Sequence, residues 1–206
     1  MKNIYVLLVT VIFIMTACEK EGDFETLHWS VSRKGVLTIS GNGEIKNFRS
    51  SESKPWPVDV KKVVIKEGVT AIGDYAFGRL NDLASVSIPQ SVKRIGYASF
   101  EECRLFEITI PSSVDYIDSW AFTKCSDLEI IIFEGPVETM GDNIFADWGF
   151  VRRGYVLEIK CPPFTVPSGF FDDFDFEKSY LIVPKGTKER FDTASGWQDF
   201  RHIIEK

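Results

Sequence analysis

Histidine is nearly missing from this sequence: 206 residues contain two, His28 and His202, close to opposite ends. At that separation no Ser/His/Asp or Cys/His catalytic set assembles unless the chain ends meet, and no Cys/His group has zinc-site spacing. Four cysteines, Cys18, Cys103, Cys125 and Cys161, do not demand a disulfide framework. Long basic runs are missing too. No basic run exceeds two residues, as at Lys61-Lys62 and Arg152-Arg153, and the net charge is -6, which argues against a nucleic-acid partner whose counterions a long Lys/Arg-rich stretch would displace. The Gly41-Asn42-Gly43 turn is not followed by the Lys-Ser/Thr of a phosphate loop. What remains is ordinary globular material, 44% hydrophobic and 26% charged, enough for one sizeable core.

Against these absences stands a repeat. VVIKEGVTAIGDYAFGRLNDL, VSIPQSVKRIGYASFEECRL, ITIPSSVDYIDSWAFTKCSDL and IIFEGPVETMGDNIFADW superimpose on one template. Phe77, Phe100, Phe122 and Phe145 recur at steps of 23, 22 and 23 residues, and Ile72, Ile95, Ile117 and Met140 keep the same steps. Two rows in phase mean a stack of small units, each burying its apolar face against the next. Within a unit, Val86-Ser87-Ile88-Pro89 and Ile108-Thr109-Ile110-Pro111 alternate with period two and end at proline, which brings no N–H to a ladder. A second short extended piece follows at 91–95. Gly96 to Cys103, apolar at Ala98, Phe100 and Cys103, then predicts one to two helical turns with one buried side. Upstream, Leu27 to Val31 and Val36 to Ser40 alternate around Arg33-Lys34-Gly35 as a hairpin, and Trp29, Phe48, Pro55 and Trp56 are bulky enough to close one end of a stack.

The wording Ile-Pro-x-Ser-Val-x-x-Ile and Ala-Phe-x-x-Cys-x-x-Leu over residues 63–151 resembles the BspA-like leucine-rich repeats of bacterial surface proteins. Cys161-Pro162-Pro163, Leu181 to Thr187, Trp197 to Phe200 and Ile203-Ile204-Glu205 look like degenerate last repeats and a capping helix. The resemblance implies an α/β solenoid: a leucine-rich-repeat stack of short strands and short helices, with an N-terminal β-hairpin cap and a C-terminal helical cap. The chain divides into a signal peptide (1–17), a lipidated tether (18–23), the hairpin cap (24–60), the repeats (61–151) and degenerate repeats with the end cap (152–206). Ser99 before Phe100, the early Leu105 and Trp148 in a cysteine position depart from the pattern.

The division at residue 18 rests on chemistry of a different kind. Lys2 precedes the almost uncharged apolar run from Ile4 to Met15, about a dozen residues where a spanning helix needs about 20, which reads as a secretory signal. Its ending, Met15-Thr16-Ala17-Cys18, resembles the lipobox of bacterial lipoproteins, whose processing leaves a lipid on the cysteine, here Cys18. Glu19 to Asp23 would then be a polar tether, and contact with the membrane would run through the anchor. The expected address is the outer membrane or cell surface.

The remaining reactive residue types reduce to structure. Cys103 and Cys125 share a repeat position that Leu80 and Trp148 fill elsewhere, the behaviour of a buried apolar slot; the sequence leaves open whether Cys103, Cys125 and Cys161 form any disulfide. The acidic stretch 172–177 lacks a calcium-loop register. No catalytic set, cofactor or metal site is expected. The outward strand positions are more informative. If Ile110, Phe133, Ile159 and Val183 face inward, then Ile130, Ile132, Val156, Tyr180 and Ile182 gather on the outer sheet face, bordered by Glu107 and Glu158. Contiguous exposed apolar surface marks contact sites, and solenoids bind with their sheet face. The expectation is a non-enzymatic surface lipoprotein that binds a macromolecule there. The family resemblance implies adhesion to a host-matrix or cell-surface protein; a glycan-binding accessory lipoprotein and a structural envelope protein without a specific ligand are the alternatives.

Overall fold

A computed structural model of the chain describes residues 18–146 and 153–206. The signal-peptide reading (1–17), Arg152 and the Trp148 position lie outside the described residues. An N-terminal hairpin unit comprises β1 (Cys18–Phe24), β2 (Leu27–Ser32), β3 (Val36–Gly41) and β4 (Gly43–Glu44). The repeats supply paired strands: β5 (Lys62–Ile65) and β6 (Val69–Ile72), β7 (Ser85–Ser87) and β8 (Arg94–Ile95), β9 (Glu107–Ile110) and β10 (Tyr116–Ile117), β11 (Ile130–Phe133) and β12 (Thr139–Met140). The tail adds β13 (Val156–Ile159), β14 (Tyr180–Val183), α1 (Lys188–Thr193) and β15 (His202–Glu205).

The strands stack into ladders on two sides, antiparallel within the N-terminal β1-β2-β3 unit and parallel from β3 onward. One side runs β1-β2-β3-β5-β7 and, after a break in hydrogen bonding, β9-β11-β13-β14-β15; the other runs β4-β6-β8-β10-β12. Inward residues alternate as period two requires: Ile108 and Ile110, Ile131 and Phe133, Leu157 and Ile159, Leu181 and Val183 are all buried. Where the ladder breaks, Val86 and Ile88 are only partly buried. The Phe row is a column of rings through the core: Phe77–Phe100, Phe100–Phe122 and Phe122–Phe145 centroids lie 5.2, 5.1 and 5.4 Å apart. That spacing is close to the ~4.8 Å between hydrogen-bonded strands.

The same spacing corrects the expected helices. Along the third side, Ala98, Phe100 and Glu102 donate their N–H groups to the next coil, to Ser119 O (3.2 Å), Ala121 O (2.8 Å) and Thr123 O (3.0 Å). Their neighbours Ser99, Glu101 and Cys103 donate back three residues within their own coil, to Gly96, Ala98 and Phe100 O. Ala98 (φ 48) and Glu102 (φ 58) are left-handed, which a right-handed helix does not accommodate. A helix about 10 Å across cannot repeat at the strand spacing, whereas this flat run of turns can. The architecture is therefore a β-solenoid with one helix, six-residue α1, among the described residues, and not an α/β stack.

Both ends differ from expectation as well. The C-terminal segment Ile203-Ile204-Glu205 is no capping helix; it belongs to β15, which extends the sheet parallel to β14. At the other end, residues 18–23 are not a free tether, since β1 pairs antiparallel with β2 from Cys18↔Ser32 to Phe24↔Leu27. The hairpin cap does form. Trp56 stacks on Phe77 at 5.5 Å, meets Phe48 at 5.5 Å and Trp29 at 6.3 Å, and donates its indole N–H to Ala76 O at 3.0 Å. The first ring of the Phe column is thereby covered, as a solenoid end requires.

Candidate binding face

Two outward rows cross β9 to β15. The register pairs Glu107, Ile130, Val156, Tyr180 and His202 in one row, and Thr109, Ile132, Glu158, Ile182 and Ile204 in the next. The structure thus brings together every expected patch residue: Ile130, Ile132, Val156, Tyr180 and Ile182, with Glu107 and Glu158 on adjoining strands. The β-branched side chains are half-buried against one another, a cross-strand packing that stabilises the sheet, while Tyr180 keeps 44% of its surface in solvent.

Sequence reasoning missed two members. His202 and Ile204 join through β15, and Ile204 is 47% exposed. The Tyr180 and His202 rings stack at 5.0 Å, and His202 Nε2 lies 3.0 Å from Glu177 O. Glu158 is not a free border charge either: it sits 3.6 Å from Lys206 Nζ. Together they edge a crevice of about 300 Å³ that Ile182, Pro184 and Lys160 also line. The face is an apolar row with a charged crevice at one edge and a stacked ring pair at its far strand.

The other reactive types are placed elsewhere. Cys103, Cys125 and Cys161 are buried free thiols. Cys103 Sγ and Cys125 Sγ donate to the carbonyls of the previous coil's Phe77 (3.3 Å) and Phe100 (3.2 Å). Burial pushes the Cys103 thiol well above its ordinary range and raises that of Cys161 to about 11, so neither is poised as a thiolate nucleophile. His28 Nδ1 pairs with Asp23 Oδ1 at 2.8 Å in the cap, at the opposite end of the strand order from His202. In the acidic stretch, the hydrogen bond from Lys178 holds the Asp175 carboxyl below its ordinary range. Among the described residues no three His, Cys, Asp or Glu side chains converge on a metal-sized site, and no helix is long and apolar enough to cross a membrane.

Stacked parallel coils around one apolar column, with an outward apolar row on one ladder, define a β-solenoid repeat protein. Residues 56–152 match the BspA type leucine rich repeat region in six copies, and the repeat stretch of this chain belongs to that family. Among solved structures, the pneumococcal vaccine antigen PcpA is similar at 16% identity and a TM-score of 0.54, over 86% of this chain and 46% of that one. The chain therefore spans about half the length of PcpA. The Treponema pallidum (T. pallidum) leucine rich repeat protein TpLRR is similar at 15% identity and a TM-score of 0.51, over 91% of this chain and 83% of that one. No curated protein matches the sequence. At such identities the likeness speaks for the fold alone.

Proposed function

We propose that the chain is a non-enzymatic, lipid-anchored module of the bacterial outer membrane or cell surface that binds another macromolecule through the outer face of β11, β13, β14 and β15. The observation that carries this reading is the register that sets Ile130, Val156 and Tyr180 in one outward row beside Ile132 and Ile182 in the next, partly exposed side by side on one face. Adjacent partly exposed apolar side chains on a solenoid's sheet face form the kind of surface that partners cover. An aliphatic row fits a protein partner, and the family resemblance points to adhesion, to host matrix or to another cell. The lipobox-like sequence at Cys18 supports the anchor.

A second reading, glycan binding, is favoured by one feature: the exposed Tyr180 ring stacked on His202 offers an aromatic platform. Capture from host-matrix and bacterial surface fractions by the exported protein, run beside a glycan array, separates the two. Retention of a protein that is lost on Ile132→Asp supports the first reading. Glycan binding lost on Tyr180→Ala supports the second, and no binding in either format overturns both.

A further inference from the structure

At the opposite end of the strand order from the apolar row, the corner beside Cys18 has a different character. Cys18 pairs with Ser32 and Lys20 with Val31, which brings the start of β1 against the Arg33-Lys34-Gly35 turn. Gly35 is left-handed (φ 73), and its carbonyl accepts from the N–H groups of Lys61 (2.8 Å) and Lys62 (3.2 Å). A side chain at Gly35 would come within 3.1 Å of Asp59 O. The turn is thus pinned to the segment entering β5, and Lys20, Arg33, Lys34 and Lys61 surround a recess of about 130 Å³ that Asp59 also lines.

Four cations against one carboxylate is an unusual local balance in a chain of net charge -6. Elsewhere several cations sit against carboxylates: Arg79 pairs with Glu102, Arg104 with Asp127 and Lys178 with Asp175. Lys20, Lys34 and Lys61 join no ion pair among the described residues. Beside them Val58 is 69% exposed, the most exposed large hydrophobic side chain among the described residues. A cation cluster around an apolar tip is what an anionic bilayer surface complements: the charges meet headgroups while the tip enters the interfacial layer.

We infer that this corner is a membrane-contacting surface, in which Lys20, Arg33, Lys34 and Lys61 engage anionic lipid headgroups and Val58 inserts beside them. The inference rests on the anchor proposed at Cys18, which would hold the corner within a Debye length, about 8–10 Å, of the bilayer. Acyl chains with a polybasic patch are two signals acting together. Docked this way, the solenoid turns its β1 end to the membrane and its β11 to β15 face away from it.

The test uses the protein extracted from cells and reconstituted into vesicles of phosphatidylcholine alone or mixed with phosphatidylglycerol, with amide hydrogen exchange as the readout. Exchange at residues 33–35 and 58–61 should slow about tenfold in the mixed vesicles and not in phosphatidylcholine. The slowing should vanish in Lys34→Glu/Lys61→Glu and in Val58→Asp, and persist in Lys185→Glu/Lys188→Glu, with melting temperatures confirming that each variant folds. Equal exchange in both vesicle types, or slowing that survives the corner variants, overturns the inference. Mass spectrometry of the N-terminal peptide judges the anchor separately. If Cys18 carries no acyl chain the anchor fails, and the response of the corner to added mixed vesicles still decides the surface by the same criteria.

Discussion

The Tyr180 and His202 rings stack at 5.0 Å with 24° between their planes, although 21 residues, α1 among them, lie between the two. Parallel pairing of β14 with β15 makes the two positions adjacent. The apolar row therefore ends on an aromatic pair and not on Tyr180 alone. Ile132→Asp puts a charge in the adjoining outward row and Tyr180→Ala removes the aromatic end of this one. Each should weaken partner binding at least about tenfold, the loss that marks a hot-spot position near the centre of a contact. Melting temperature should change less than in a core variant because both side chains stand on the outer face, with Ile132→Asp the more costly since Ile132 is half-buried opposite Glu158. Titration of the captured partner against each variant checks this; unchanged affinity in both removes the row from consideration.

Phe122 has neighbours in the column on both sides, at 5.1 and 5.4 Å, and no exposed surface. Phe122→Ala should lower unfolding free energy by about 3–5 kcal/mol, the range for emptying a buried phenylalanine site. Ile132→Asp should cost far less. Chemical denaturation of the two variants side by side measures the contrast, and a loss under about 1 kcal/mol at Phe122 would mean the column relaxes around the gap.

Ala98 sits at φ 48 with its N–H committed to Ser119 O. A β-branched side chain resists that left-handed backbone. Ala98→Val should therefore cost about 1–3 kcal/mol, and Ala98→Gly should be close to neutral because relief of strain offsets the added freedom of the unfolded chain. Had the segment been helical, the glycine variant would be clearly destabilised. Thermal melts of the pair distinguish the two backbones.

The Cys161 thiol has a pKa raised by burial from 9.0 to about 11. Between those values the unfolded chain releases the proton while the folded chain still holds it. Its contribution is fully present below pH 9 and is lost as pH rises toward 11. Stability of the parent protein should fall across that window more steeply than that of Cys161→Ala, by up to roughly 2 kcal/mol. Parallel slopes for the two proteins would contradict the assignment. Near neutral pH, thiol reagents should label Cys103 and Cys161 only once denaturant opens the stack.

How far the sequence discloses all this depends on where the hydrogen-bond partner lies. Ile130, Ile132, Val156, Tyr180 and Ile182 could be assigned to one face because strand alternation is local and proline at 111 sets the phase of the preceding repeat; the observed register agrees strand for strand. Ala98, Phe100 and Cys103 could not distinguish helix from turn. Either backbone buries one side, and the deciding acceptors, Ser119 and Ala121 O, belong to another coil. Lys20 to Asp23 form part of β1 with no apolar alternation, held by backbone pairing to β2. Ile203-Ile204 was too short a signal to separate strand from helix, and that concealed His202 and Ile204 from the site.

The alternation of amide bonds along the third side also bears on how such a chain can change length. Odd and even amides in the turn run have different obligations, one kind returning within the coil and the other reaching into the next. Insertion or deletion of a single residue there exchanges those obligations and turns Phe100 or Phe122 outward. A whole coil of 22 or 23 residues leaves both intact. Growth by duplication of entire coils is tolerated where slippage by one residue is not, so related solenoids should differ in reach by complete turns.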